Sequence, residues 1–356
     1  MNMMIDNELR YLRLAIVDRI VSKTTNVSEI TQIARTEKRI RSYLIKTWKD
    51  RIEKSYLILN KIKKTTKYKE IVKKINNNMN KWRYDVLKIY VTEIKNIYKL
   101  ARIAGYKKAT RQTKQSLRYG LPKQEIKKAK VVLPVFDLVD EKTIKALEEQ
   151  QIFWIGELYD NGVSDRIAKT VKEAMAEVGL GPLEVSKILR EKLEKIFEYI
   201  VLPSGFIGTP ESYFSGLVAN TFTVARVQGQ VRSFMEIGIT SYEINNPGDN
   251  RTCERCAHMD GKIFRTEDGA NQMLSELKMK NPEDIKQIHP WLSLKELQKI
   301  SPNPGYIGGD KGLRDSKKLS EAGLSLPPYH FKCRCTVDIS IESSTFENLQ
   351  PITLPI

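Results

Sequence analysis

The chain has 356 residues, 41% hydrophobic and 29% charged, with a formal net charge of +17. That length suits two or three domains with ordinary cores, and no apolar run approaches the roughly 18 residues that a membrane-spanning helix needs. Only four cysteines are present, and the N-terminal residues lack the apolar core and cleavage site of a secretory signal, which argues against a disulfide-built secreted scaffold.

The charge is unevenly placed. Residues 1–135 hold 34 Lys and Arg against 11 Asp and Glu, whereas residues 136–356 hold 26 against 32. Such a split predicts a polyanion partner for the basic half; lysine spread over solvated helix faces is the plainer alternative.

The basic half, residues 1–135, reads as long helices. Asn26-Val27-Ser28-Glu29 resembles a capping box ahead of Ile30, Ile33, Ile40, Leu44 and Trp48. A second helix is predicted from Lys67 to Ala104, ended by Gly105. Its apolar positions Ile71, Ile75, Met79, Trp82, Val86, Ile89, Ile94, Ile97 and Leu100 recur every three or four residues. Lys63, Lys64, Lys73, Lys74, Lys81 and Arg83 would line the other faces. The stretch from Lys107 to Lys130 is the most basic and least patterned. Lys107, Lys108, Arg111, Lys114, Arg118, Lys123, Lys127, Lys128 and Lys130 there predict a mobile arm that binds DNA phosphates without reading bases. No helix-turn-helix, finger array or RNA-recognition signature is visible.

An apolar stretch with Pro134 marks a boundary. A helical middle region over residues 136–210 follows, with helices at about 140–159, 163–178 and 182–198 and a Gly/Pro-rich loop from Val201. A long helix from Glu211 to Gly238 delivers the chain to a C-terminal module over residues 211–340; residues 341–356 form a tail. Asn246-Pro247-Gly248-Asp249 is a tight turn. Short helices are expected near 283–287 and 293–300, then a surface excursion with Gly305, Gly308, Gly309 and Gly312 whose spacing is not that of a phosphate cradle. The fold class is mainly α, ending in a small α+β module stapled by metal.

All four cysteines lie in that module. Cys253 and Cys256 stand two residues apart in Asp249-Asn250-Arg251-Thr252-Cys253-Glu254-Arg255-Cys256, and Cys333 and Cys335 close Pro327-Pro328-Tyr329-His330-Phe331-Lys332-Cys333-Arg334-Cys335. A Cys-x-x-Cys pair grips one face of a tetrahedral zinc ion, and a distant second cluster closes the other. A thioredoxin-like redox pair would not need the second cluster; buried free thiols are the plainer alternative. Cys253 and Cys256 are one half of the ligand set. His330, Cys333 and Cys335 compete for the two remaining places, and the sequence does not choose between them. His258 reads as solvent-exposed or as a support to the ligands, and His289 as a loop residue without a ligand role. Four protein ligands leave no open position for water, so the zinc would be structural.

These motifs resemble the phage head morphogenesis family, also called the phage Mu F-like or SPP1 minor head protein family. That family runs from a helix and a Gly-Ile strand through Asp-x-Arg-x-Cys-x-x-Cys and a Leu-Asp-Gly-Lys turn to Pro-Pro-x-His-x-x-Cys-Arg-Cys-Thr. Here the matching residues are Val218 to Ile237, Gly238-Ile239, Asp249, Arg251, Cys253, Cys256, Met259-Asp260-Gly261-Lys262 and Pro327 to Thr336. The resemblance spans roughly residues 135–340. This chain departs from the family at Ala219-Asn220-Thr221, at Met259 for leucine, and at Phe331-Lys332 where Pro-Asn is common.

The resemblance implies a minor head protein of a tailed phage, bound to the portal, that acts in head assembly and in DNA packaging or ejection. Its implied partners are the portal protein, capsid or scaffolding protein and double-stranded DNA. Its place would be the head interior of the virion, and the host cytoplasm during assembly. A zinc-dependent nuclease is the alternative. No nucleophile-base-acid set stands out, and the plainer expectation is that Asp249 caps a turn, Arg251 pairs with a carboxylate, and Asp260-Gly261 makes a hairpin turn.

Overall fold

The computed structural model describes residues 27–118, 136–159, 163–176, 181–202, 206–250, 252–279, 281, 284–305 and 310–340. It is mainly helical, as the periodicity predicts. The elements are α1 (Val27–Leu59), α2 (Tyr68–Arg118), α3 (Leu138–Tyr159), α4 (Asp165–Ala176), α5 (Pro182–Glu198), β1 (Ile200–Val201), β2 (Ile207–Gly208), α6 (Pro210–Ile237), β3 (Ser241–Asn245), α7 (Glu254–Met259), β4 (Ile263–Arg265), α8 (Thr266–Leu277), α9 (Ile285–Ile288), α10 (Leu294–Ile300), α11 (Asp310–Glu321) and β5 (Thr336–Ile339). Among the described residues no helix is long and apolar enough to cross a membrane. Two compact units emerge. One gathers residues 36–94 and 147–221; the other gathers residues 95–146 and 222 onward, with the start of α1.

In the first unit an aromatic cluster fills the core. The Trp48 ring lies 5.0 Å from Trp82, 6.2 Å from Phe197 and 5.9 Å from Phe214, each edge-on, the geometry that aromatic quadrupoles favour. Trp82 Nε1 donates to Thr47 Oγ1 at 2.9 Å, so its polar edge is satisfied. The predicted stripe of α2 is buried at Ile71, Ile75, Met79, Trp82, Val86 and Ile94, whereas Ile89 lies at the rim and Tyr90 takes the core position beside it. Lys63, Lys64, Lys73, Lys74 and Lys81 are exposed.

Helix α2 does not end at Gly105; it continues to Arg118. A Cβ at Gly105 would come 2.8 Å from the Ser233 Cβ, and one at Gly229 would come 2.9 Å from the Tyr98 carbonyl oxygen. These glycines let α2 and α6 approach, and contact rather than helix termination explains Gly105. Gly229→Ala is expected to cost about 1–3 kcal/mol, because the atom it meets is helix backbone and cannot rotate away; chemical denaturation measures it.

A charged network joins the same elements. Arg102, with no exposed side-chain surface, sets Nε 2.9 Å from Asp140 Oδ1 and also pairs with Glu236. Its Nη1 donates to Ser233 Oγ at 3.1 Å. Asp137 Oδ1 accepts the N–H groups of Val139 and Asp140, which caps the start of α3. The expected arm from Lys107 is, as far as Arg118, the last turns of α2. Lys108 turns inward, donating to the Val337 carbonyl at 3.2 Å with Asp338 at 3.5 Å. Lys107 is exposed, and Arg111, Lys114 and Arg118 fall on the helix. Lys123, Lys127, Lys128 and Lys130 lie outside the described residues, as does Asn26 of the expected capping box.

The C-terminal module is built on a three-stranded antiparallel sheet of order β4-β3-β5. Tyr242 stands opposite Phe264 on one side and Ile339 on the other, and Ile244 opposite Val337. These side chains, with Val227, Val231 and Phe234 from α6 and Leu319, Leu324 and Leu326, form one buried core.

Candidate metal centre

Helix α7 positions the first thiol pair. Cys253 is its N-cap residue, with φ −82° and ψ 163°, and Cys256 lies one turn later. A spacing of three residues puts both sulfurs on one face of the first turn. The second pair arrives on the segment leading into β5. The Cys333 N–H bonds the His330 carbonyl at 3.1 Å, and Lys332 between them has φ 67°. That left-handed turn presents His330 and Cys333 together. Thr223 of α6 anchors the segment, its hydroxyl donating to the Cys333 carbonyl at 2.9 Å.

The predicted ligands converge. Cys253, Cys256 and His330 form one trio of donors, and Cys256, Cys333 and Cys335 a second, each with all donor atoms within 4.8 Å of one another. Cys256 belongs to both. His330 Nε2 lies 3.1 Å from Cys253 Sγ and 3.0 Å from Cys256 Sγ. Its Nδ1 lies 2.7 Å from the Phe331 carbonyl. A carbonyl only accepts, so Nδ1 carries the proton and the Nε2 lone pair faces the sulfurs. This is the arrangement that holds a metal-ligating histidine.

Several observations test the fit of a metal ion. Cys256 Sγ and Cys333 Sγ are 3.7 Å apart, against about 3.8 Å for a tetrahedral edge built from zinc–sulfur bonds of about 2.3 Å. Burial opposes ionisation of Cys333, yet hydrogen bonds from the Cys256 and Cys335 thiols and from the backbone N–H groups of Cys335 and Tyr329 hold it well below the usual thiol range. The hydrogen bond to Cys333, with burial behind it, pushes Cys256 up, and hydrogen bonds to Cys256 and Cys333 push Cys335 up. Crowded thiols share their negative charge poorly without a cation. Among the described residues the Tyr329 hydroxyl, buried beside these cysteines, meets no hydrogen-bond partner. Soft sulfur donors with one imidazole suit zinc. The residues present therefore fit a metal ion.

The neighbouring motif residues hold the module's shape. Asn246 N–H donates to Asp260 Oδ1 at 3.0 Å, and Gly261 at φ 79° turns the chain from α7 into β4. Asp260-Gly261 is thus a helix-to-strand turn, not a two-residue hairpin. Arg251 lies outside the described residues; Asp249 pairs with Arg334. His258 is buried, with Nε2 donating to the Ser301 carbonyl at 2.8 Å. Lys262 is buried too, its ammonium held by Ser301 Oγ and the Asn303 carbonyl. His289 is buried with Nδ1 3.2 Å from Glu276 Oε1. The expected surface excursion is partly interior. Ser301 is buried, and a Cβ on Gly305 would collide with the Asp260–Lys262 backbone, while Gly312 falls in α11. Sequence reasoning did not single out Tyr329 or Arg334 for a role at the site. The alternation of Cys333-Arg334-Cys335 is the one signal that sets Arg334 on the face opposite the thiols.

A further trio of Asp137, Asp140 and Glu236 also converges. Arg102 and Arg232 already occupy the place of a cation there, with Arg232 Nη2 2.6 Å from Asp137 Oδ2.

Neither the curated proteins nor the solved structures yield a match to the chain. Among protein-family models, residues 165–338 match Phage Mu protein F like protein. That span holds the long helix α6, all of the three-stranded sheet but its last residue, and every donor of the candidate metal centre. The match over residues 165–338 is consistent with the phage head morphogenesis family that the motifs of this chain resemble.

Proposed function

We propose that this chain is a minor head protein of a tailed phage, associated with the portal and carried in the head interior of the virion. The family match over residues 165–338 is the observation that carries this reading. The C-terminal module serves as a rigid docking piece toward portal, capsid or scaffolding protein. Its rigidity comes from a structural zinc ion held by Cys253, Cys256 and two of His330, Cys333 and Cys335. We favour His330 and Cys333, because the His330 lone pair faces both sulfurs of α7 and the Cys333 sulfur accepts two backbone N–H groups. The bound ion would tie α7 to the segment that enters β5.

The basic half contacts packaged or exiting double-stranded DNA through phosphates. Exposed Lys63, Lys64, Lys73, Lys74, Lys81 and Lys107 support this, with Arg111, Lys114, Arg118, Lys123, Lys127, Lys128 and Lys130 as further contacts. Such binding is independent of sequence and weakens steeply with salt.

Mass spectrometry of the purified protein for metal content tests the first part. About one zinc per chain is expected, retained on Cys335→Ser and lost on Cys333→Ser. A metal-free, freshly reduced protein would overturn the metal centre. For the second part, gel-shift titrations on unrelated DNA duplexes should give equal affinities that fall with salt. Absence of a shift at low salt would overturn the DNA contact.

A further inference from the structure

The two cysteine-bearing segments are also joined by a contact that uses no cysteine. Arg334 stands between Cys333 and Cys335, and Asp249 stands four residues ahead of Cys253. Arg334 Nη1 donates to Asp249 Oδ2 at 2.7 Å and Nη2 donates to Oδ1 at 2.6 Å. Two parallel bonds of this kind fix the relative orientation of guanidinium and carboxylate, which a single point contact cannot do. The Asp249 carbonyl accepts the Thr252 N–H at 2.9 Å, so the carboxylate is rooted in the turn that leads into Cys253. Cys333 and Cys335 are buried, whereas the pair between them stays partly in water, with 27% and 36% of its side-chain surface exposed.

We propose that the Asp249–Arg334 pair is a positioning latch that brings the two ligand arms into register before a metal ion arrives. This rests on the metal centre proposed above. The β3–β5 pairing already closes the chain at Asn245 and Thr336, so the pair removes the remaining freedom of the two short arms beyond the sheet, which an ion would otherwise have to order. A partly exposed ion pair adds little to folding stability, so its effect falls on metal affinity. Neither residue is a metal ligand.

Zinc affinity is measured in the full-length protein by competition with a chromophoric chelator, alongside thermal melting of the metal-free form. Asp249→Asn and Arg334→Lys are each expected to weaken zinc binding by about tenfold, with the metal-free melting point unchanged. Arg334→Lys keeps the charge but loses the fork. The exchange Asp249→Arg with Arg334→Asp should recover most of the affinity, which a merely steric effect at either position would not. Wild-type affinity in both single variants overturns the latch alone. So does a loss of metal-free stability that matches the affinity loss and is not recovered by the exchange. A wild-type protein that binds no zinc overturns the metal centre and the latch together.

Discussion

Cys256→Ser should abolish stoichiometric metal binding and lower the thermal midpoint of the C-terminal module more than any other single cysteine substitution. Cys256 is the one donor common to both trios, 3.0 Å from His330 Nε2 and 3.7 Å from Cys333 Sγ. Without it neither trio is complete, whereas Cys335→Ser leaves Cys253, Cys256 and His330 intact. Structural zinc contributes about 10 kcal/mol or more of apparent folding free energy in modules with almost no core. Here the sheet and α6 supply a core of their own, so a loss of about 3–5 kcal/mol is expected. In a domain of this size that corresponds to a fall of roughly 10 °C in Tm. Calorimetry of wild type and variant, each with and without chelator, checks it. Chelation should move the wild-type midpoint and leave the variant where it is. A wild-type midpoint indifferent to chelator would sink the prediction.

Arg102→Ala should cost about 3–5 kcal/mol, the range for removing one partner of a buried ion pair. The guanidinium is fully buried and pairs with Asp140 and Glu236. Tyr98 donates to the same Asp140 at 2.7 Å, and Tyr106 to the same Glu236. With the cation gone, Glu236 keeps Arg232 at 3.2 Å, but the buried Asp140 carboxylate loses its counter-charge. Urea denaturation at neutral pH measures the loss. The double substitution Arg102→Met with Asp140→Leu should recover much of it, because an apolar pair replaces the desolvated charges and leaves none unpaired. Equal stability of Arg102→Ala and wild type would show that water enters the site and replaces the guanidinium.

Arg102 also shows where reading the chain alone falls short. It sits in the basic half among residues that look like a solvated face, and nothing within a helical turn of it announces Glu236, 134 positions away. Lys108 and Lys262 follow the same pattern. Each is drawn inward by carbonyl or carboxylate oxygens from a distant segment. Gly105 reads as a stop signal because local propensity favours that outcome. Its actual neighbour is Ser233 on another helix. His258 is buried rather than solvent-exposed, and His289, a loop residue outside the metal donors, is buried as well. Their partners Ser301 and Glu276 come from other elements.

What the amino-acid sequence determined by itself is whatever depends on short-range spacing. The α2 stripe recurs at the helical period, and its apolar face is buried almost throughout. The three-residue step from Cys253 to Cys256 places two thiols on one helical turn. The motif set around both cysteine pairs pointed to the family whose model matches residues 165–338. Tertiary structure decided which distant groups meet: Cys256 as the shared donor, the Phe331 carbonyl that orients His330, Arg334 against Asp249, and Arg102 among its carboxylates. Backbone propensity and hydrophobic period are local properties written into neighbouring residues. Pairing of charges and thiols across scores of residues depends on how the helices pack, because burial makes the partner necessary and packing supplies it.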